Sequence, residues 1–282
     1  IGGNLVVHGD DADNQIAIHS GEEPGQFVVV GLDGTNVMRA GGDPNGGGEE
    51  GTAPDRAVVV NGVSRGARVA MGAGNDTVIV NDARFRGRVG IATGAGEDTV
   101  LVGVRPDGPD GPPTTDPGGE GAGDVRPAVA IGHSLGISTG ADGDHVHVGN
   151  ARIGGRLRIG TDGGDDTVLL GRPASTDPAA EIAESDTPPA LAVGRSIGVG
   201  LGAGNDNLVV TNVRSLGIGA TGGLGDDNLR VANTQSARLH LGGGIGAGND
   251  SIGVNNATAI VATLRTGGGE DHVAVADSAF GL

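Results

Sequence analysis

The chain has no cysteine, tryptophan, tyrosine or lysine, and only three phenylalanines, Phe27, Phe85 and Phe280. Without cysteine there is no disulfide scaffold, thiolate zinc site or cysteine nucleophile. With so few aromatics, any core must be built from Val, Ile, Leu and Ala, and a sugar site cannot rest on aromatic platforms. No apolar run approaches the roughly 18 residues a spanning helix needs, so membrane insertion is not expected. All 18 basic residues are Arg and stand against 35 acidic ones, for a net charge of -17. That balance disfavours nucleic acid and anionic membranes, whose affinity comes from basic side chains, and favours cations and solubility. The chain opens on Ile1 without a charged and apolar leader, as expected of a mature product.

Glycine is abundant, with 59 residues, and proline adds 13, together about a quarter of the 282 residues. Composition of that kind borders on low complexity. Hydrophobic residues nevertheless make up 36% and recur in a fixed pattern, so the chain is expected to fold.

The pattern is a repeat. GAGNDTVIV (72–80) returns as GAGEDTVLV (94–102), GADGDHVHV (140–148), GGDDTVLL (163–170), GAGNDNLVV (202–210), GLGDDNLRV (223–231), GAGNDSIGV (246–254) and GGGEDHVAV (267–275). The last Asp of each copy marks it: Asp76, Asp98, Asp144, Asp166, Asp206, Asp227, Asp250 and Asp271. The markers are separated by 22, 46, 22, 40, 21, 23 and 21 residues. The two long gaps hold insertions rich in Pro, Gly and acid at 103–125 and 171–189, each beginning five residues after its marker, so both leave the same turn of the repeat.

Two and four residues after each marker the side chain is apolar, from Val78 and Val80 through Val100 and Val102 to Val273 and Val275. Period two means a strand with that pair facing inward. A second alternating stretch precedes each glycine turn, as in Val89 and Ile91, Leu135 and Ile137, or Ile197 and Val199. Six residues past the marker stands an Asn or Asp (Asp82, Asn150, Asn212, Asn233, Asn256, Asp277) in every copy but the two with insertions, a residue type that bonds neighbouring backbone in turns.

A unit of two or three short strands has no core of its own and must bury its apolar edge on its neighbours. Stacking at about 4.8 Å per rung does this. The expected fold is therefore all-β: a parallel β-helix, or β-solenoid, of about 22 residues per coil, spanning 57–282. Residues 1–56 are expected to form an irregular β N-terminal cap and a Gly/Pro-rich loop, with 40–55 a third loop.

The glycine–aspartate corners resemble the RTX-type calcium-binding repeat, GGxGxDxUx with U apolar, over about nine residues of each coil. The chain as a whole resembles the glycine-rich secreted β-solenoids of large bacterial surface proteins, which are mostly structural or adhesive. RTX arrays carry a metal turn on both sides of a β-roll, whereas one turn per coil is present here. The resemblance implies Ca²⁺ at Asp76, Asp98, Asp144, Asp165, Asp166, Asp206, Asp226, Asp227, Asp250 and Asp271, with the adjoining acids Asp165–Asp166 and Asp226–Asp227 best placed. Stacked carboxylates would lie roughly 5 Å apart and repel. Calcium between rungs relieves this, as do hydrogen bonds from the NH groups of each aspartate's own glycine turn.

No catalytic residue is assigned. His145, His147 and His272 occupy outward strand positions, and the acid pairs Asp107–Asp110 and Glu181–Glu184 lie in the insertions. Arg84, Arg86 and Arg88 and Arg152, Arg156 and Arg158 fall at similar repeat positions. They are read as a solvated face paired with acids on adjoining rungs, or else as a stripe for an acidic partner or another subunit. Sequons at Asn75, Asn249 and Asn256 offer glycan sites. The function expected is a secreted, structural, non-enzymatic rod at the cell surface or in an extracellular filament, assembling end to end as a homo-oligomer. The alternatives are a carbohydrate-active β-helix enzyme and a monomeric calcium-binding adhesin module.

Overall fold

The structure is a computed structural model and describes residues 3–38, 56–104, 128–171, 190–244 and 248–281. Every regular element among them is a strand or bridge, and the long sheets run parallel. The chain is a series of stacked coils whose strands fall into three columns.

The first column holds nine parallel strands, from Gly3–His8 through Val63–Ala73, Val89–Ala95 and Leu135–Ala141 to Val261–Arg265. The second starts at Gln15–Ser20 and runs through Thr77–Val80, Thr99–Val102, His145–Val148 and Thr167–Gly171 to His272–Ala276. The third is made of shorter strands, Ala83–Phe85, Val129–Ile131, Ala151–Ile153, Leu191–Val193 and Val213–Arg214, and ends at Ala279–Phe280.

The register is the one the repeat implies. Ile16 pairs with Val78, Val78 with Val100, Val100 with Val146 and Val146 with Val168. The file continues through Leu208, Leu229 and Ile252 to Val273. From Val78 to Ile252 these side chains are fully buried. Similar aliphatic side chains stacked one rung apart fill a narrow interior, which accounts for a core almost free of aromatics.

The two insertions leave and return at one corner. Residues 105–127 connect the second-column strand ending at Val102 to the third-column strand starting at Val129, and 172–189 connect Gly171 to Leu191 in the same way. At the equivalent corner of the other coils, Asp82, Asn150, Asn212, Asn233, Asn256 and Asp277 adopt left-handed φ between 35° and 56°. In the inserted coils the left-handed residue lies one position earlier, at Gly103 (φ 72°) and Gly171 (φ 87°). The acidic corner also needs glycine. Gly94 has φ 119°, and a Cβ there would sit 1.7 Å from the Gly72 carbonyl oxygen one rung away.

At the N-terminal end the strands Gly3–His8 and Gln15–Ser20 form a first coil, and a hairpin closes it. Phe27–Gly31 pairs antiparallel with Gln15–Ser20, and Ala57–Val60 pairs antiparallel with Phe27–Gly31. The capping hairpin thus carries its second strand beyond residue 56, and the solenoid resumes at Val63. Phe27 stacks on Phe85 with ring centroids 4.5 Å apart, clamping the hairpin to the first rung of the third column. The loop 40–55 lies outside the described residues, as do the insertion-borne pairs Asp107–Asp110 and Glu181–Glu184.

Candidate functional site

Three corners separate the three columns, and each has its own chemistry. The corner between the first and second columns carries the aspartate markers. Asp76, Asp98, Asp144, Asp166, Asp206, Asp227 and Asp250 all point into the solenoid and are at most 3% exposed. Their Oδ1 atoms form a ladder: Asp98 Oδ1 accepts from the backbone NH of Asp76, Asp144 Oδ1 from Asp98, and Asp166 Oδ1 from Asp144, each at 2.8 Å. It continues through Asp206, Asp227 and Asp250 to Asp271, and at its other end Asp76 accepts from Asn14. The donor is the NH of the preceding rung, not the aspartate's own glycine turn as expected. The aspartates therefore tie coil to coil.

The second oxygens are left over. Oδ2 of Asp76, Asp98, Asp144, Asp166, Asp206 and Asp227 is buried without a hydrogen bond. Inward-facing Thr93, Thr139 and Thr161 line the same corner and partly oppose the effect of burial on Asp98, Asp144 and Asp166, but the hydroxyl of Thr93 donates to the Thr139 carbonyl, that of Thr161 donates to the Leu201 carbonyl, and that of Thr139 makes no hydrogen bond. Burial therefore favours the neutral acid. It raises Asp206 to about 7 and Asp76, Asp144 and Asp227 to about 6, with repulsion between neighbouring carboxylates adding to it. Asp98, Asp166 and Asp250 are raised for the same first cause.

A second, exposed ladder runs beside the first. Asn75 Oδ1 accepts from Glu97 NH, Asp165 Oδ1 from Asn205, Asn205 Oδ1 from Asp226, Asp226 Oδ1 from Asn249, and Asn249 Oδ1 from Glu270. The adjoining acids Asp165–Asp166 and Asp226–Asp227 consequently face opposite sides of the strand, one to solvent and one to the interior, and do not converge. Of the three sequons, Asn75 and Asn249 belong to this exposed ladder, and the Asn256 Nδ2 donates to Asn233 Oδ1 at 2.7 Å.

The corner between the second and third columns bears the insertions. His147, expected in solvent, is buried there, with its Nε2 3.2 Å from the Gly171 carbonyl oxygen. Burial lowers the pKa of both His147 and its half-buried neighbour His145. Strand parity turns His147 outward, yet it is 8% exposed. His272 is exposed as expected.

The corner between the third and first columns is basic. Two adjoining open grooves of about 840 and 900 Å³ run along it, and among the described residues no acid lines either one. Arg65 and Arg68 come from one coil, Arg86 and Arg88 from the next, Arg156 and Arg158 from two rungs on, and Arg195 from the rung after that. All seven are exposed. The expected pairing with acids on adjoining rungs is not formed: among the described residues these guanidinium groups make no ion pair. Arg84 and Arg152 lie instead on the outer face of the third column, alternating with Ala130 and Ala192.

Comparison with protein families, with characterised proteins and with solved structures finds no match.

Proposed function

We propose that the chain is a structural, non-enzymatic β-solenoid rod of an extracellular fibre or surface layer, assembling end to end with copies of itself. One observation carries this reading. Val273 and Val275 continue columns whose members in every earlier coil from Val78 and Val80 onward are at most 2% exposed, yet they are 46% and 49% exposed. Ile260, Val261 and Phe280 are exposed on the same end. An apolar face bearing open strand edges is a template for another strand.

A second copy suits it. At the opposite end the hairpin covers the second column, but the outer edge of Gly3–His8 takes no strand among the described residues. That edge has the polarity and spacing to extend the first column past Val261–Arg265. A contact between two different ends does not close on itself and yields filaments.

Light scattering over a concentration series, with electron micrographs of the same samples, tests the proposal. Association into rods that grow with concentration is expected, and Val273→Asp with Val275→Asp should leave monomers, because the change sits on the outermost rung. A wild-type chain that stays monomeric throughout would refute end-to-end assembly.

A second reading, calcium at the aspartate corners, is favoured by the buried Oδ2 atoms that accept no hydrogen bond. A ligand that binds only the folded chain raises its stability. If calcium belongs here, EGTA lowers the melting midpoint and added Ca²⁺ restores it; an unchanged midpoint removes it.

A further inference from the structure

We infer that the basic corner is a binding groove for a linear acidic polysaccharide, one bearing carboxylate or sulfate groups along its length. This goes beyond the rod reading and rests on a different part of the molecule.

Charge is the first argument. Acidic residues outnumber basic ones almost two to one, yet seven arginines gather on one corner where no acid stands among the described residues. Guanidinium groups kept only for solubility would be expected to find partners among the neighbouring acids; these are exposed and make no ion pair among the described residues. Arginine's planar fork matches carboxylate and sulfate-like oxyanions with two parallel hydrogen bonds.

Shape is the second. On the outer face of the first column Arg68, Gly90, Gly136 and Arg158 lie in consecutive register. Arg68 and Arg158 are three rungs apart, about 14 Å, with the two glycines between them. Neither glycine has positive φ, and a Cβ on either would meet nothing within 4 Å. Packing does not demand glycine there, and glycine weakens a strand interior. Its effect is a bare floor two rungs long with an arginine at each axial end, so a linear chain laid along the rod axis meets two cations about 14 Å apart. The groove then continues past Arg88 and Arg156 to Arg195.

Nucleic acid fits less well. Single strands are held by stacking of bases on aromatic rings, and here Phe27 and Phe85 are buried while Phe280 lies at the far end of the rod. A duplex carries a charge every 1.7 Å or so, and its bulk would bring it against the acidic corner.

Isothermal titration with heparin, polygalacturonate, neutral dextran and single-stranded oligo-dT tests the assignment. Heparin or polygalacturonate should bind the wild-type chain, more weakly as salt is raised, and dextran should not. Arg88→Gln with Arg158→Gln should weaken binding about tenfold or more, while Arg230→Gln with Arg265→Gln, exposed but outside the groove, should not. Circular dichroism melts would verify that both double variants stay folded. Failure of both acidic glycans to bind, equal affinity in the groove variant, or oligo-dT binding as tightly as the glycans would each overturn the proposal. End-to-end assembly is read separately by light scattering, so either idea can fail without the other.

Discussion

At the scale of the residue, the inward aspartates are the least ordinary feature. Each spends one carboxyl oxygen on the coil before it and leaves the other dry. Their acidity is displaced upward, from the ordinary 3.8 to about 6 at Asp76, Asp144 and Asp227 and about 7 at Asp206. Between those limits the folded chain holds more protons than the unfolded one, so stability falls as pH rises. In EGTA, the melting midpoint should therefore be higher at pH 5 than at pH 8; a midpoint that climbs from pH 5 to 8 would contradict buried neutral acids. Asp206→Asn keeps an acceptor for the Asp166 NH and removes the charge, so it should flatten that gradient. Asp206→Ala leaves a buried NH without a partner and should cost about 1–3 kcal/mol, read from urea unfolding at pH 5. The inward direction of these residues was not among the expectations, although a marker at offset zero shares strand parity with the apolar positions at two and four. The acceptor was not legible, because the next aspartate can lie 46 residues away across an insertion.

At the scale of the element, the coil repeats a local pattern whose meaning depends on its position along the rod. Leu208 and Val275 both belong to the inward-facing pairs of the second column, two and four residues past their markers, one fully buried and the other 49% exposed. Leu208→Ala should cost about 2–5 kcal/mol, whereas Val275→Ala in the monomer should cost much less; equal losses in denaturant titrations would argue against an uncovered last rung. Phe27→Ala removes the ring that clamps the hairpin to Phe85. It should lower stability by about 3–5 kcal/mol and speed amide exchange first in Gln15–Ser20. The strands and both insertion corners were legible, since aliphatic pairs recur with period two and the long gaps begin at one offset. The antiparallel hairpin was not, because three valines in a row, Val28 to Val30 and Val58 to Val60, suit a parallel or an antiparallel edge equally. His147 escaped for a related reason, as parity gives a side chain's direction but not what packs over it.

At the scale of the whole molecule, stacking turns a small difference between repeat positions into three separate corners: one acidic, one bearing insertions, one basic. Such separation needs every coil in register, and the pairing is continuous on either side of both insertions, from Val102 to Val148 and from Leu170 to Val210. Thr77 and Ser251 lie on the outer face of the second column, linked by the register through Thr99, His145, Thr167, Asn207 and Asn228. Six rungs place their backbones about 29 Å apart. Because the chain has no cysteine, Thr77→Cys with Ser251→Cys gives two unique spin-label positions. Double electron–electron resonance should return one narrow distribution near that separation, broadened only by the label linkers. A broad distribution, or a distance well beyond it, would show that the coils do not stack in register.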